Sequence, residues 1–360
     1  MAMKRVVHKF MLWAHRWLGI VIGIHFVLLG LTGSYLVYTE EIDALMKPDL
    51  KVASAAPVVP DLDQIVQNAR QGLGVDSNPM RMTIASEDSR YNHRIMFNVP
   101  KGEQNRRFVT AYVDAATFEF KGSEVFKETL GGFFFVFHHD LFSGGTGRTI
   151  VAVTGVLSMI LLLGGLYLWW PGQGKSWKRS LRYNKQRSFL GFNLELHKFL
   201  GFYSLILMCI VTFSGIYLAR PDWFFPRGPG EGGGPGDGGP ATSALLSFSV
   251  VQPVLSSLLE EDQIAQFRID MKDNKLMGLA RDPEHGISGW EWDLATGELL
   301  NTKLVKDRDF RKKFGDLQRA WHVGDFWGEL GRFLVFVSGI LPLVFYFTGT
   351  YYWWKKKKKA

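Results

Sequence analysis

Two histidines of this 360-residue chain are each followed by a glycine at the same distance. Gly33 comes 18 positions after His15, and Gly215 comes 18 positions after His197. Because 18 residues make five helical turns of about 3.6 residues, each histidine shares a helix face with its glycine. Neutral imidazole is a common metal ligand, and a glycine leaves room for a flat, bulky group. The spacing therefore predicts a site for a planar, metal-bearing ligand.

Two further histidines recur with a second common spacing. Gly147 follows His138 by nine positions, and Gly331 follows His322 by nine. An arginine comes directly after each of these glycines, and an apolar run follows. A single histidine beside an apolar run is as readily explained by anchoring as by ligand binding, but anchoring requires no fixed spacing. The duplication favours a binding role for all four histidines.

The histidines lie next to four apolar runs that contain no Asp, Glu, Lys or Arg. The runs span residues 17–38, 149–170, 199–219 and 333–354, and Tyr and Trp gather at their ends. A run of about 20 apolar residues is long enough to cross a bilayer as a helix, and Tyr and Trp favour the membrane interface. The sequence therefore predicts an integral membrane protein with four transmembrane helices.

The second half of the chain repeats the first. Glycines of the second apolar run recur in the fourth, as does the pair of tryptophans that ends each run. Each copy consists of a helix, a segment of about 100 residues and a second helix, and such internal repeats are common in membrane proteins. The repeat places His15 and His197 at one edge of the membrane and His138 and His322 at the other. We therefore expect an inner and an outer histidine pair.

Lysine and arginine cluster before the first run, between the second and third, and after the fourth. By the positive-inside rule these places are cytoplasmic, so both termini lie inside and the two longer segments lie outside. Topology thus accounts for the net charge of +8, and no nucleic-acid partner is expected. The lysines near the chain end could also bind anionic membrane lipid.

In each of the two outer segments the residue pattern predicts a helix followed by an antiparallel sheet, and hence an α+β module. In the first we expect a helix at 62–71, strands at 81–84, 94–99 and 108–113, and a turn at Asp114. In the second we expect a helix at 250–259, strands at 265–270, 276–281 and 289–292, and a turn at Asp293. Residues 228–240 are nearly all Gly and Pro, which indicates a flexible linker.

Two histidines from different helices are a typical axial ligand set for haem iron in electron-transfer proteins. The chain has a single cysteine, Cys209, and therefore lacks the Cys-x-x-Cys-His motif for covalent haem attachment. We predict two b-type haems, one per pair, with iron bound by His15, His197, His138 and His322.

Four cationic side chains close to these histidines could meet the haem carboxylates. They are Arg16 and Lys198 near the inner pair and Arg148 and Arg332 near the outer pair. The arginines are more readily explained as snorkelling anchors than the histidines are. The glycines predicted to make room for the haem, Gly33 and Gly215, could instead serve only close helix packing.

Two other histidines leave alternatives open. His25 lies in the middle of the first run and has no counterpart in the second half, so it could be a replacement ligand or a bridge between the haems. His139 competes with His138, although only His138 matches the position of His322.

Four short motifs carry a resemblance to a known family over nearly the full length of the chain. They are His15-Arg16-Trp17-Leu18-Gly19, His138-x-x-Leu141 with Gly147-Arg148, Leu196-His197-Lys198-x-Leu200-Gly201, and His322 with Gly331-Arg332. In these motifs the chain resembles the PepSY-associated transmembrane proteins, also called PiuB-like or iron-regulated membrane proteins. The resemblance implies a bacterial inner membrane and PepSY-like outer modules with Asp114 and Asp293 at hairpin turns. Some members resemble ferric-siderophore reductases with two b-type haems.

The predicted fold is thus a membrane α-helical protein built from a duplicated helix–PepSY–helix unit, with two periplasmic α+β modules. The first and third transmembrane helices are placed at 13–38 and 197–220. The outer histidine segments together with the second and fourth helices are placed at 138–170 and 321–354. The modules span 39–137 and, with the linker, 221–320, while a basic loop at 171–196 and a tail at 355–360 are cytoplasmic.

The function expected from these features is an electron conduit that reduces a periplasmic ferric siderophore and releases Fe(II). Reduction weakens the hold of hard oxygen ligands on iron. The chain has no dinucleotide fingerprint, so quinol or a cytoplasmic reductase would supply electrons. One alternative is a non-enzymatic PepSY sensor or protease modulator without haem. A transporter is disfavoured, because the apolar runs contain no charged residue and no clear helix break.

Overall fold

The computed structural model describes residues 2–85, 90–100, 106–170, 177–183, 188–226, 247–249, 266–270, 275–282, 286–293, 295–303 and 309–357. The predicted helix at 250–259 and the linker at 228–240 lie outside these residues. The chain divides into two compact units. The first comprises Met1–Val37, Phe134–Pro226 and Leu317–Ala360, and the second comprises Tyr38–Phe133 and Arg227–Asp316.

The first unit contains four long helices, and all four are long and apolar enough to cross a membrane. They are Ala2–Val37, Gly144–Trp169, Phe189–Ala219 and Gly328–Lys357, here called the first to fourth membrane helices. They confirm the four predicted spans but begin earlier in the chain. The third, for example, begins after Ser188, whose side chain accepts a hydrogen bond from the Gly191 N–H at 3.1 Å and caps the helix.

Each membrane helix packs against two others, in the cyclic order first, second, third and fourth. The closest approach joins the first helix to the fourth. A Cβ atom on Gly30 would lie 2.3 Å from the Gly339 carbonyl oxygen, and one on Gly339 would lie 2.5 Å from that of Gly30. Small residues at such a crossing let two backbones touch, which strengthens packing where lipid gives no hydrophobic drive.

Two shorter helices, Leu130–Asp140 and Phe310–Val323, carry the outer histidines. Each is followed by a sharp turn into a membrane helix. A Cβ atom on Gly147 would lie 1.6 Å from the Asp140 carbonyl oxygen, and one on Gly331 would lie 2.1 Å from that of Gly324. The repeated spacing between histidine and glycine therefore lets the start of the membrane helix touch the end of the histidine-bearing helix.

The remaining short elements are the helices Thr39–Met46, Pro48–Lys51 and Trp177–Ser180, and the 3₁₀ turns Phe126–Glu128, Pro221–Trp223 and Asp325–Trp327.

The second unit contains one antiparallel sheet of eight strands rather than two separate sheets. The strands are β1 (Pro79–Thr83), β2 (His93–Pro100), β3 (Arg106–Val113), β4 (Phe120–Val125), β5 (Gln266–Asp270), β6 (Lys275–Asp282), β7 (Gly286–Asp293) and β8 (Leu299–Lys303). Their order is β4-β3-β2-β1-β5-β6-β7-β8. The six predicted strands are confirmed, and the two predicted modules are joined in one sheet because β1 pairs with β5.

The two edge strands, β4 and β8, were not expected from the sequence. They contain Gly122 and Lys121, and Asn301 and Lys303, respectively, residue types that have weak strand preference. Pairing on one side and a polar outer side suffice for an edge strand.

One hydrophobic core serves both halves of this sheet. The helix Leu62–Leu73 packs its apolar face on β2, β3 and β4, and its buried residues share one cluster with Phe97 of the first half and Trp292 of the second. Phe248, from the second half, is fully buried in the same core, and its N–H donates to Asp63 Oδ1 at 2.7 Å. The halves therefore share their buried surface as well as their sheet.

The predicted turns at Asp114 and Asp293 are confirmed. Asp114 accepts hydrogen bonds from the N–H groups of Ala116 and Thr117 and from Ser54. Burial alone raises the pKa of the Asp114 carboxyl, but these hydrogen bonds outweigh burial and hold the pKa below its usual value. Asp293 accepts from the N–H groups two and three positions further on, the same arrangement in the second copy.

His93 is fully buried beside this turn. Its Nδ1 accepts a hydrogen bond from the Ala85 N–H at 3.0 Å, and its Nε2 has no partner among the described residues. Burial lowers the pKa of His93 to about 4, against the opposite effect of the Asp114 carboxylate. The ring is therefore neutral in the folded protein at pH 7.

The shared sheet predicts a specific cross-link. In a Cys209→Ala background, the pair Arg81→Cys and Arg268→Cys should form a disulfide on mild oxidation, because these residues are opposite partners in β1 and β5. Opposed residues of antiparallel strands have Cα atoms about 4.5–5.5 Å apart, within disulfide reach. Peptide mass spectrometry would detect the bond. The control pair Arg81→Cys and Asp270→Cys is two positions out of register, and equal cross-linking of both pairs would contradict the pairing.

His93 predicts a pH dependence of stability. His93 has a pKa near 6.5 in the unfolded chain and about 4 in the folded chain, so between these pH values only the unfolded chain binds the proton. Stability is therefore complete above pH 6.5 and falls by roughly 3 kcal/mol as the pH drops to 4. His93→Asn keeps an acceptor for Ala85 but cannot be protonated, so its thermal unfolding midpoint, followed by tryptophan fluorescence, should fall less between pH 7 and 5. The exposed-site variant His8→Asn should behave as the parent; a parent-like His93→Asn would refute the assignment.

Candidate cofactor site formed by two histidine pairs

The four predicted histidines meet as two pairs, and each pair joins the two copies of the repeat. The ring centroids of His15 and His197 are 6.4 Å apart, and those of His138 and His322 are 6.0 Å apart. His138 contacts Gly33, which lies 18 residues beyond His15 in the first membrane helix, or about 27 Å at 1.5 Å per residue. The pairs are thus well separated along the helices.

The Nδ1 atom of each imidazole forms a hydrogen bond with a membrane helix of its own copy. An Nδ1 that donates its hydrogen leaves the Nε2 lone pair as the atom able to bind a metal. The bonds join His15 to the Leu161 carbonyl (3.2 Å), His138 to that of Leu29 (2.9 Å), His322 to that of Val211 (3.0 Å), and His197 to the Thr348 hydroxyl (2.8 Å).

A glycine stands four residues after each of the three carbonyl acceptors, and Gly349 directly follows Thr348; we call these four glycines the seat glycines. Each lies directly under an imidazole ring, so that an added Cβ atom would come within 3.4 Å of the ring carbon Cε1. The distances from such a Cβ to Cε1 are 2.9 Å for Gly33 and His138, 3.0 Å for Gly215 and His322, 3.1 Å for Gly165 and His15, and 3.4 Å for Gly349 and His197. The seat glycines allow the rings to reach the carbonyls.

At three of the four histidines a hydroxyl group also approaches Nδ1. It belongs to the residue directly before the seat glycine and itself donates to a carbonyl one turn earlier. The Oγ–Nδ1 distances are 3.1 Å from Thr32 to His138, 3.2 Å from Ser214 to His322 and 2.8 Å from Thr348 to His197. At His15 the corresponding residue is Gly164, which has no hydroxyl group.

The inner pair lines a cavity of about 1080 Å³ between the membrane helices. Ligand pockets in proteins typically measure about 300–1000 Å³, so the cavity is large enough for a bulky cofactor. Apolar and aromatic side chains form most of its wall. Its lining residues, all within the described part of the chain, include five cationic and no acidic side chains: Lys9, Arg16, Lys198, Lys356 and Lys357.

The pair geometry fits haem better than a bare metal ion. Metal–imidazole nitrogen bonds are about 2 Å long, so two imidazoles on opposite sides of one metal atom have ring centroids roughly 6 Å apart. Both pairs have this separation. Among the described residues, no group of three or more His, Cys, Asp or Glu side chains could hold a metal ion. A porphyrin supplies four ligands of its own, so two imidazoles complete the coordination of haem iron.

The predicted cationic residues fall into two groups. At the inner pair, Arg16 and Lys198 line the cavity, and Lys198 also forms a 3.0 Å ion pair with Glu195. Arg148 is half-buried at the start of the second membrane helix. Arg332 donates to the Val37 carbonyl oxygen at 2.7 Å and so closes the end of the first helix. Their contact with haem carboxylates stays a prediction.

The structure also separates the competing histidines. His138, rather than His139, lies against His322. His139 instead stacks on Phe135, with ring centroids 5.4 Å apart. His25 is exposed on the first membrane helix and does not line the inner cavity, so the structure brings it to neither pair.

Sequence reasoning missed the hydrogen-bond partners of the rings. A signal was present, since Thr32-Gly33, Ser214-Gly215 and Thr348-Gly349 all place a hydroxyl residue before a glycine. Asn193 was also missed: it is buried and donates to the Thr348 carbonyl oxygen at 2.8 Å, which steadies the residue that contacts His197. Nothing in the sequence linked Asn193 to this site.

The seat glycines predict an effect confined to one pair. Gly33→Ala puts a Cβ atom 2.9 Å from the His138 ring and should displace it, so that the predicted haem should bind more weakly at the outer pair and unchanged at the inner pair. Cofactor content and the absorption spectrum of the purified variant would show this. Gly145→Ala is the matched control, because its Cβ would meet no atom within 4 Å. A Gly33→Ala protein with unchanged outer-pair signals would contradict the seat role.

Comparison with known proteins identifies one family over nearly the whole chain. No curated protein matches the chain. The protein family described as the PepSY-associated TM region matches residues 12–356, and hence nearly the whole sequence. This match covers the four membrane helices and both halves of the sheet between them. The chain therefore belongs to the PepSY-associated transmembrane family.

Proposed function

We propose that this membrane protein binds two b-type haems, one at each histidine pair, and passes single electrons across the membrane to a ferric siderophore. The observation that carries the proposal is the pair geometry. Two imidazoles face each other at 6.0 or 6.4 Å, and Nδ1 of each is already occupied by a neighbouring helix. Haem iron between two imidazoles supplies a one-electron centre.

The protein's own part is to orient the ligand atoms. The Nδ1 bonds hold each ring in the tautomer that leaves Nε2 free, and they set the direction of the ring plane. The seat glycines let the rings sit low against the helix surface. Arranging the ligands before the metal arrives lowers the ordering cost of binding.

The charge of the inner cavity supports a ligand with carboxylates. Five cationic side chains line it, and Arg16 lies next in sequence to the iron-ligand candidate His15. Haem carries two carboxylates at one edge, and arginine and lysine bind such groups by charge-assisted hydrogen bonds. The apolar wall made by residues such as Ile20 and Leu166 would cover the rest of the macrocycle.

The proposed substrate follows from the chemistry of iron chelates. Siderophores bind Fe(III) through hard oxygen ligands, and one electron converts Fe(III) to Fe(II), which these ligands hold less tightly. One electron per iron is consumed and no bond within the chelator breaks. The donor is quinol or a cytoplasmic reductase, which would deliver electrons at the inner pair.

The proposed location is the bacterial inner membrane. Lysine and arginine flank the inner ends of the helices, including Arg16, Lys198 and the lysines after Trp354, which supports cytoplasmic termini. The outer pair and the eight-stranded sheet would then be periplasmic. Binding of anionic lipid by the terminal lysines is compatible with this orientation.

A spectrum of the purified protein is the first test. We expect about two haems per chain and sharp reduced bands, as paired histidine ligands produce. His15→Ala should remove the inner signal only, and His138→Ala should remove the outer signal only. Absence of iron and haem would refute the proposal and favour a PepSY sensor or protease modulator without haem.

The direction of transfer is tested by the same variants. A ferric siderophore added to dithionite-reduced, desalted protein should reoxidise the haems, with Fe(II) trapped by a ferrous-specific chelator. His138→Ala should keep a reducible inner haem but reoxidise far more slowly, because the electron must then leave from the distant pair. The redox-inert gallium siderophore is the control and should leave the spectrum unchanged. Equal rates for the variant and the parent would show that electrons do not leave through the outer pair.

A further inference from the structure

The four histidines are not held equally. His138 and His322 each have a hydroxyl oxygen within 3.2 Å of Nδ1 in addition to a carbonyl bond, and His197 has the Thr348 hydroxyl at 2.8 Å. Among the described residues the Nδ1 of His15 has only the Leu161 carbonyl, at 3.2 Å, the longest of the measured Nδ1–carbonyl distances. The difference has a sequence cause, because Gly164 stands where the other three copies have Thr32, Ser214 and Thr348.

Space at Gly164 does not explain the missing hydroxyl. A Cβ atom on Gly164 would lie 3.9 Å from His15 Nδ1, an ordinary contact distance, and would meet no other atom within 4 Å. A serine at this position could therefore place its Oγ beside Nδ1, as Ser214 does beside His322. The chain thus omits a hydrogen-bond partner that the backbone could accommodate.

Such partners matter for metal binding. Groups that hydrogen-bond the non-ligating nitrogen of a histidine orient its ring and raise its basicity, and removing one typically weakens metal binding about 10–100-fold. By this criterion His15 is the weakest of the four ligands. Its partner His197 is the opposite case, with the shortest hydroxyl contact, 2.8 Å, and a buried Asn193 behind it.

We propose that His15 is the exchangeable ligand of the inner pair, and that the haem-loaded inner site takes a small neutral ligand of ferrous iron in its place. The inference rests on the proposed haem binding and names a ligand class for that site: diatomic π-acceptors such as carbon monoxide or nitric oxide. In the exchange one bond from iron to His15 Nε2 breaks and one bond to the diatomic forms, with no electron transferred. The outer pair keeps both histidines, so the two sites differ in ligand binding.

The probe is carbon monoxide added to dithionite-reduced protein whose haem content has been measured first. The parent should show a carbon monoxide difference spectrum from one of its two haems only. Gly164→Ser should bind carbon monoxide at least 10-fold more weakly, because the added hydroxyl holds His15. Gly164→Ala adds the same Cβ without the hydroxyl and should titrate as the parent does.

The reverse substitution tests whether loss of the hydroxyl partner is what permits carbon monoxide to bind. Ser214→Gly removes the hydroxyl at His322 and should allow the outer haem to bind carbon monoxide as well. A haem-loaded parent that binds no carbon monoxide, or binds it at both haems, overturns the inference. So does a Gly164→Ser protein that titrates as the parent. If Gly164→Ser does not load haem, the parent, Gly164→Ala and Ser214→Gly decide the question. A protein without haem would instead refute the proposed function.

Discussion

The bond from an imidazole Nδ1–H to a carbonyl oxygen of a neighbouring membrane helix governs the arrangement of this protein. In a bilayer an unpaired N–H costs several kcal/mol, so each of the four rings must find an acceptor. The accessible acceptors are the second lone pairs of helix carbonyls, which a side chain normally covers. A seat glycine such as Gly33 uncovers the carbonyl four residues before it, and the ring lies flat there. Ring position, tautomer and free Nε2 all follow from this contact.

The two copies of the repeat each contribute one histidine to each pair. Each histidine is seated within its own copy, whereas each pair is formed between copies, as His15 with His197. A single copy therefore presents imidazoles that are oriented but unpaired. The close crossing of Gly30 and Gly339, together with the contact of Gly155 with Ile216, brings the copies together and completes both pairs. Duplication thus has a structural consequence, since each pair of facing imidazoles requires both halves.

In the sheet unit the two copies are also joined, here by backbone pairing between strands and by a shared hydrophobic core. Strand β1 would leave a row of unpaired backbone groups at the end of a four-stranded half, and pairing with β5 satisfies them. The helix Leu62–Leu73 packs on β2, β3 and β4, and its buried residues join one core with Phe248 and Trp292 of the second half.

Much of this could be read from local patterns, because those patterns reflect short-range physics. Apolar run length determined the four membrane helices, and alternation determined six of the eight strands. The histidine–glycine spacing identified His15, His197, His138 and His322 as the candidate ligands. Only the tertiary structure decided that Gly33 seats His138, that Arg332 closes the first helix, that His25 belongs to neither pair, and that two expected modules share one sheet. These outcomes depend on contacts between residues more than a hundred positions apart, where crossing geometry and backbone pairing, rather than residue type along the chain, set the partners.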